Sequence, residues 1–380
     1  MTLTNTPLAI TMWDFSWLER RWDGAGYQDW DRALDELAER GYDAVRIDAF
    51  PHLVAADPER TWQLLPVWHF EVWGATEPVS VRVLPDLLDF IRACAARGLR
   101  VSLSSWFRKD ELDVRSRIRT PADLARVWDV TLSAIEDAGL ADAVYFVDLV
   151  NEWPLAMWAP FLYGNDASAE TLSRGDELVR NWTKEAISTL RAAHPRYRYT
   201  LSVCTETTGA PGEDLSELDL LEPHVWMTPQ ATTDFYAEIG YDLHHSQFDP
   251  RAYEPLSGPA ERLYRAGPER WAGRLTEHIG QVAAWSRAAG KPLVTTECWG
   301  IVNYKDGPGR DWGWVKELCE IGVRAALATG RWEALATSNF CGPQFDGMWR
   351  DVAWHRRMTD AIHAGVTEFT HVPERNRTHE

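Results

Sequence analysis

The sequence predicts an α/β fold, a single (β/α)8 TIM barrel with long loops after strands two and six. Three observations carry that expectation. Eight short apolar runs are interleaved with helix-patterned segments along 380 residues, with no linker between them. Runs such as Val144–Val150 are largely β-branched, aromatic or aliphatic, as strands buried on both faces are. No glycine-rich phosphate loop follows the first run, so the usual mark of a dinucleotide-binding sheet is missing.

Leu8–Met12 reads as the first strand and leads into Trp13, Asp14 and Phe15. Asp29 is a candidate N-cap for a helix with Trp30, Ala33, Leu34, Leu37 and Ala38 at helical spacing, stopped by Gly41. Ala44–Ala49 is the second strand, closed by Pro51. A long connection rich in proline and aromatic residues, with Trp62, Trp68 and Trp73, runs to about Val83. Leu84–Arg97 is a helix ending at Gly98, and Leu99–Ser105 is the third strand, with Trp106 and Phe107 at its exit. Thr120 as N-cap and Pro121 in the first turn start the next helix, which runs to about Ala138. The fourth strand follows, and Pro154 ends it near Trp153, so Asn151 and Glu152 stand at its carboxyl end.

Beyond it, a helix within Glu170–Ala193 leads to Tyr197–Cys204, the fifth strand. Leu218–Trp226 is the sixth, made irregular by Pro223. An insertion from Met227 to about Gly267, carrying His244 and His245, is expected to cap the rim. Helix Glu269–Ala289, strand Pro292–Glu297, helix Asp311–Thr329, strand Ala334–Phe340 and helix Val352–His363 complete the count. The barrel is expected to occupy 1–372, with a polar tail at 373–380.

Composition narrows the function classes. The net charge of −18 opposes nucleic-acid backbones and anionic lipid, and no basic run offsets it. The first residues lack a signal peptide and no apolar stretch reaches membrane-spanning length, so a cytoplasmic protein is expected. The five cysteines form no CxxC pair and suit free thiols. If Glu297 faces the rim, Cys298 should face the helices. Adjacent His244 and His245 have no HExxH or cysteine–histidine partner set, so no metal and no cofactor is expected. The 21 tryptophans are mostly core filling; those beside a strand's carboxyl end are candidates for stacking on sugar rings.

Two glutamates end parallel strands, Glu152 on the fourth and Glu297 on the seventh. One rim bearing two carboxylates is what glycoside cleavage requires, one to protonate the leaving oxygen and one to attack or to activate water. With Asn151-Glu152-Trp153-Pro154 and Thr295-Thr296-Glu297 at those ends, the chain resembles clan A of the glycoside hydrolases, the cellulase-like (β/α)8 retaining enzymes. The resemblance implies Glu152 as acid/base, Glu297 as nucleophile and Asn151 as partner of the sugar 2-hydroxyl. Arg46 resembles the strand-two arginine that supports the nucleophile, and His224-Val225-Trp226 resembles a His-x-Tyr on strand six. The chain departs from the clan pattern at strand three, where Trp106 stands in the area of a histidine, and at strand eight, where Ser338-Asn339-Phe340 replaces a platform tryptophan.

Asp14, Asp48 and His52 are further candidates for binding hydroxyls, and Trp106, Trp226, Trp299 and Trp153 for contacting the sugar. Arg46 is expected to hold Glu297 charged, leaving the proton on Glu152. A carboxylate gap of about 5 Å and retention are expected. The implied activity is a retaining glycosidase acting on small oligosaccharides or glycosides, with β bonds or equivalents such as α-L-arabinofuranosides as substrates. An endo-acting β-glycanase and a non-catalytic sugar-binding barrel are the alternatives.

Overall fold

The structure, a computed structural model, describes residues 5–67, 72–227, 234–241 and 250–369. Trp68, His244, His245 and the 373–380 tail lie outside the described residues. The strands are β1 (Leu8–Asp14), β2 (Ala44–Asp48), β3 (Arg100–Ser104), β4 (Val144–Asp148), β5 (Tyr199–Thr200, resumed at Ser202–Val203), β6 (Glu222–Pro223), β7 (Leu293–Thr295) and β8 (Trp332–Ala336). They pair in parallel in the order β7-β8-β1-β2-β3-β4-β5. The second half of β5 pairs with β6, and the bridges Leu221 to Leu293 and Val225 to Cys298 join β6 to β7. The ring is thereby closed, as expected of a (β/α)8 barrel.

Around it lie α1 (Trp30–Glu39), α2 (Val83–Ala96), α3 (Pro121–Asp137), α4 (Glu177–Ala193), α5 (Pro268–Ala289), α6 (Gly313–Ala328) and α7 (Val352–His363). Local chemistry starts these helices where the sequence indicates. The Asp29 side chain accepts from the Arg32 N–H, and Thr120 and Asp123 form a reciprocal capping box ahead of Pro121. One unit departs from strict alternation, because β5 and β6 are joined without a helix. That segment holds Gly209, Pro211 and Gly212, which favour turns, and the indole N–H of Trp285 on α5 bonds to Glu213 there at 2.6 Å. β6 is short because Pro223 cannot donate to a ladder.

The barrel interior is layered by the two-residue period of its strands. Ile10, Ala44, Phe146, Leu220, Val294 and Ala334 form one apolar cluster. Two residues further along four of these strands the inward positions are polar: Arg46, Asp148, Glu222 and Thr296. Apolar packing therefore fills one end of the barrel, and a hydrogen-bonded polar layer lies beneath the rim.

The connection after β2 carries a short antiparallel ribbon, Trp62–Leu64 with Val79–Val81, and the insertion after β6 includes helices Asp234–Ile239 and Gly258–Ala266. Among the described residues no helix is long and apolar enough to cross a membrane.

Candidate active site

The polar layer is organised by Arg46, whose side chain is fully buried. Its Nη2 donates to Asp148 Oδ2 (2.6 Å), Asn151 Oδ1 (2.7 Å), Ser104 Oγ (2.9 Å) and Ser202 Oγ (3.2 Å). Nη1 donates to Thr296 Oγ1 and to Glu297 Oε1, both at 3.3 Å, and Nε lies 3.5 Å from Glu222 Oε1. A planar fork is what lets this one residue of β2 meet groups on β3, β4, β5 and β6 and just past β7 at once. The guanidinium stays charged because the surrounding carboxylates outweigh the cost of burial.

Glu152 sits just past β4 with φ +52, a left-handed conformation that costs a non-glycine residue of order 1–3 kcal/mol. Its backbone N–H donates to Ser202 Oγ at 2.9 Å, which anchors the turn. The Glu152 carboxylate receives the Trp158 indole N–H on Oε2 (3.1 Å) and faces His224 Nδ1 from Oε1 (2.9 Å). His224 Nδ1 is also 3.6 Å from Glu297 Oε2. Oxygens of Glu152 and Glu297 and a nitrogen of His224 lie within 4.8 Å of one another. These three have the donor types of a metal site, but a Nδ1–H directed at Glu152 leaves that nitrogen no lone pair for a metal.

The electrostatics reverse the expected division of charge. Burial raises the Glu152 pKa, yet the hydrogen bond and charge of His224 and the Trp158 N–H outweigh it, so the carboxyl is held below its ordinary value. Glu297 is raised, by burial first, with Glu152 adding to that and His224 and Arg46 opposing. His224 is raised because Glu297 and Glu152 overcome its burial. The expectation set Arg46 beside Glu297 against an apolar cleft around Glu152, and left out the donors that reach Glu152. Arg46 is shared with Asp148 and Glu222, and two N–H donors, from His224 and Trp158, converge on Glu152.

Glu152 and Glu297 open onto a cavity of about 680 Å3, lined also by Asp14, Trp106, Asn151, Phe15, Trp73 and Trp158. The Arg46 bond fixes the Asn151 carbonyl inward, so its amide NH2 is the end left to donate. Asp14 Oδ1 accepts from the Ser16 N–H, Oδ2 has no partner among the described residues, and burial pushes this carboxyl well above the usual range.

Other candidates lie elsewhere. Asp48 is not at the cleft; its oxygens accept the N–H groups of Phe50 (2.7 Å) and Trp106 (3.1 Å), tying together the loops after β2 and β3, and burial lifts its pKa to about 7. Trp299 is not a cleft wall, because its ring lies over Gly322 of α6, where a Cβ would come within 2.5 Å, and its N–H bonds to the Ala336 carbonyl at 2.8 Å. Trp226 is buried away from the cavity lining. Trp153 packs against Trp182 of α4 instead. His52 is buried against the Arg108 carbonyl. The five cysteines are free and buried, and burial pushes the Cys298 thiol well up, which suits no nucleophile.

Sequence reasoning passed over Asp148, Glu222, Ser104, Ser202, Thr296, Trp158 and Trp73. For the first two a signal existed, since a carboxylate inside an apolar strand run must find a buried partner. Trp158 had none, because its meeting with Glu152 depends on the fold of an irregular loop.

A family model described as sugar-binding cellulase-like matches residues 10–363. A protein of Parabacteroides distasonis ATCC 8503, described provisionally as a glycoside hydrolase, is 45% identical over 96% of this chain and 95% of its own, with a TM-score of 0.92. A GH5_18 protein of Bifidobacterium longum in complex with Manβ1-4GlcNAc is 14% identical over 93% of this chain and 78% of its own (TM-score 0.53). The cellulose synthase subunit Z of Clostridioides difficile is 14% identical over 93% and 99% (TM-score 0.54). The last two show likeness of fold alone. No curated protein sequence matches the chain.

Proposed function

The chain belongs to the sugar-binding cellulase-like family, and from that premise we propose that it is a retaining glycoside hydrolase acting on small oligosaccharides or glycosides. In this reading Glu152 is the acid/base and Glu297 the nucleophile. The observation that carries the reading is the approach of two carboxylates, from the ends of β4 and β7, to within 4.8 Å at the floor of one cavity. That separation leaves no room for a water between them and an anomeric carbon, which favours double displacement over inversion. A cavity of about 680 Å3 lies within the range of small-ligand sites.

Each step then has a residue. With His224 as the imidazolium, its Nδ1 proton passes across 2.9 Å to Glu152 Oε1 and on to the glycosidic oxygen, leaving a neutral ring. The bond from the anomeric carbon to that oxygen breaks as the Glu297 carboxylate bonds to the carbon, and the alcohol leaves. Glu152 then takes a proton from water, whose oxygen replaces Glu297 on the carbon, and passes it back to His224 Nδ1. Arg46 and His224 stabilise Glu297 as it regains its charge. The Asn151 amide donates to a hydroxyl beside the reacting carbon, and Asp14 and Trp106 meet the ring from the cleft wall.

A panel of nitrophenyl glycosides differing in sugar and anomer identifies the substrate. Glu297→Ala should then lose turnover, and azide should restore it by forming a glycosyl azide of inverted anomeric configuration. An unchanged rate in Glu297→Ala refutes the assignment. A wild type that binds sugars without turnover favours the non-catalytic barrel instead.

A further inference from the structure

We propose that the leaving-group end of the cavity takes an apolar aglycone, alkyl or aryl, in preference to a second sugar; this rests on the glycosidase reading and deepens it. In that reading Glu152 stands against the glycosidic oxygen and Glu297 against the anomeric carbon, so the leaving group extends past Glu152. What stands past Glu152 is its own connection. The Leu155 N–H bonds to the Glu152 carbonyl at 2.8 Å, and the Trp158 indole N–H returns to the Glu152 carboxylate at 3.1 Å, so residues 155–158 wrap directly around the acid. Leu155, Ala156 and Met157 line the cavity there, with Ala167 and Ala169 further along the same connection. Leu155 and Met157 are only half-buried, so they offer apolar surface to whatever enters.

Polar groups on this side are mostly engaged with the protein itself. Ser168 donates its N–H (2.9 Å) and its hydroxyl (2.6 Å) to Asp166 Oδ1, and the Asn303 amide donates to the Tyr241 hydroxyl at 2.9 Å. Thr171 and the exposed Glu170 complete the polar side chains of this stretch of the lining. The sugar end of the same cavity differs, for Asp14, Asn151 and Glu297 line it. A second sugar would set several hydroxyls against Leu155 and Met157, and each one buried without a partner costs free energy, whereas an alkyl chain or aromatic ring gains by burial there.

This wall is ordered before a ligand arrives. The Tyr163 hydroxyl donates to the Pro154 carbonyl at 2.6 Å and accepts from the Leu172 N–H at 3.0 Å, which ties the two ends of the 155–171 stretch together. Beyond it, Ser173 Oγ and the Arg174 N–H donate to the Glu206 carboxylate at 2.7 and 2.9 Å, and the buried Arg174 guanidinium donates to the Thr205 and Glu206 carbonyls at 2.8 and 2.9 Å. The connection after β4 is thereby pinned to the segment past β5, and a surface held in place loses little entropy on binding.

The test uses the wild-type protein and the sugar that the nitrophenyl panel selects. Methyl and n-hexyl glycosides of that sugar leave as alkoxides of nearly equal basicity, so a difference in rate reports aglycone binding. The kcat/KM of the hexyl glycoside should exceed that of the methyl glycoside by about tenfold or more, which about two buried methylenes supply. It should also exceed that of the disaccharide carrying the same sugar at its non-reducing end, although the disaccharide has the better leaving group. A smaller hexyl-to-methyl ratio, or a disaccharide cleaved faster than the hexyl glycoside, overturns the proposal and leaves the glycosidase reading intact. Met157→Ser should lower the ratio, and an unchanged ratio also overturns the proposal; should that variant fail to fold, the wild-type series decides. If the panel yields no substrate, the glycosidase reading fails and calorimetry with methyl and n-hexyl β-glucosides and β-mannosides decides. Binding of a hexyl glycoside about tenfold tighter than its methyl partner then supports the apolar pocket, and a smaller difference or no binding overturns it.

Discussion

His224 faces Glu152 through Nδ1 at 2.9 Å, while its other nitrogen, Nε2, is buried with no hydrogen-bond partner among the described residues. Protonated at both nitrogens, the ring would bury an unsatisfied Nε2–H, a cost that opposes the imidazolium. Glu152 and Glu297 pull the other way and hold the imidazole above its ordinary pKa despite burial. The proton between His224 and Glu152 thus belongs to the pair, and the pair sets where the acid limb of the chemistry lies.

Trp158 tests that pairing. Its indole N–H stabilises ionised Glu152, so Trp158→Phe removes a donor and raises the Glu152 pKa. A general acid with a higher pKa stays protonated further into the alkaline range. The alkaline limb of the kcat/KM profile should therefore move to higher pH, and a limb that stays or moves lower would contradict the role given to Glu152.

Glu152 itself should show leaving-group dependence. Glu152→Ala is expected to slow cleavage of poor leaving groups by about 100- to 10,000-fold. Glycosides of acidic phenols, which need no proton, should lose far less in the bond-breaking step. Equal losses for nitrophenyl and dinitrophenyl glycosides in single-turnover kinetics would show that Glu152 is not the acid.

Arg46 is expected to be irreplaceable by lysine. An ammonium cannot reach Asp148, Asn151, Ser104, Thr296 and Glu297 together, so buried carboxylates lose their partner. Arg46→Lys should cost about 3–5 kcal/mol of stability. Urea denaturation measures it, and a loss under 1 kcal/mol would mean that the network is not held by the guanidinium.

Glu222 should give stability a pH slope. Its Oε2 has no partner among the described residues, and burial lifts its pKa to about 7 despite Arg46 nearby. Between the unfolded value near 4.3 and 7 the native protein holds a proton there that the unfolded chain has lost, so this contribution falls as pH rises through that window. Glu222→Gln keeps an acceptor for Thr296 and removes the titration. Its unfolding free energy should rise relative to wild type by up to about 1.4 kcal/mol per pH unit across that window. Parallel curves for the two proteins would exclude Glu222 as the titrating group.

The amino-acid order by itself determined the barrel, because strand runs, caps at Asp29 and Thr120 and stops at glycine are local signals with local causes. It also brought Glu152 and Glu297 to the ends of β4 and β7, since Pro154 and the apolar runs mark where those strands stop. Which indoles face the cleft was decided only in three dimensions: Trp299 turned onto Gly322 of α6, and Trp73 reached the cavity from a loop with no periodic pattern. Charge was likewise a tertiary matter. The sharing of Arg46 among Asp148, Glu222 and Glu297, and the convergence of His224 and Trp158 on Glu152, join residues from separate strands and loops, and a pKa depends on distances that sequence spacing does not contain.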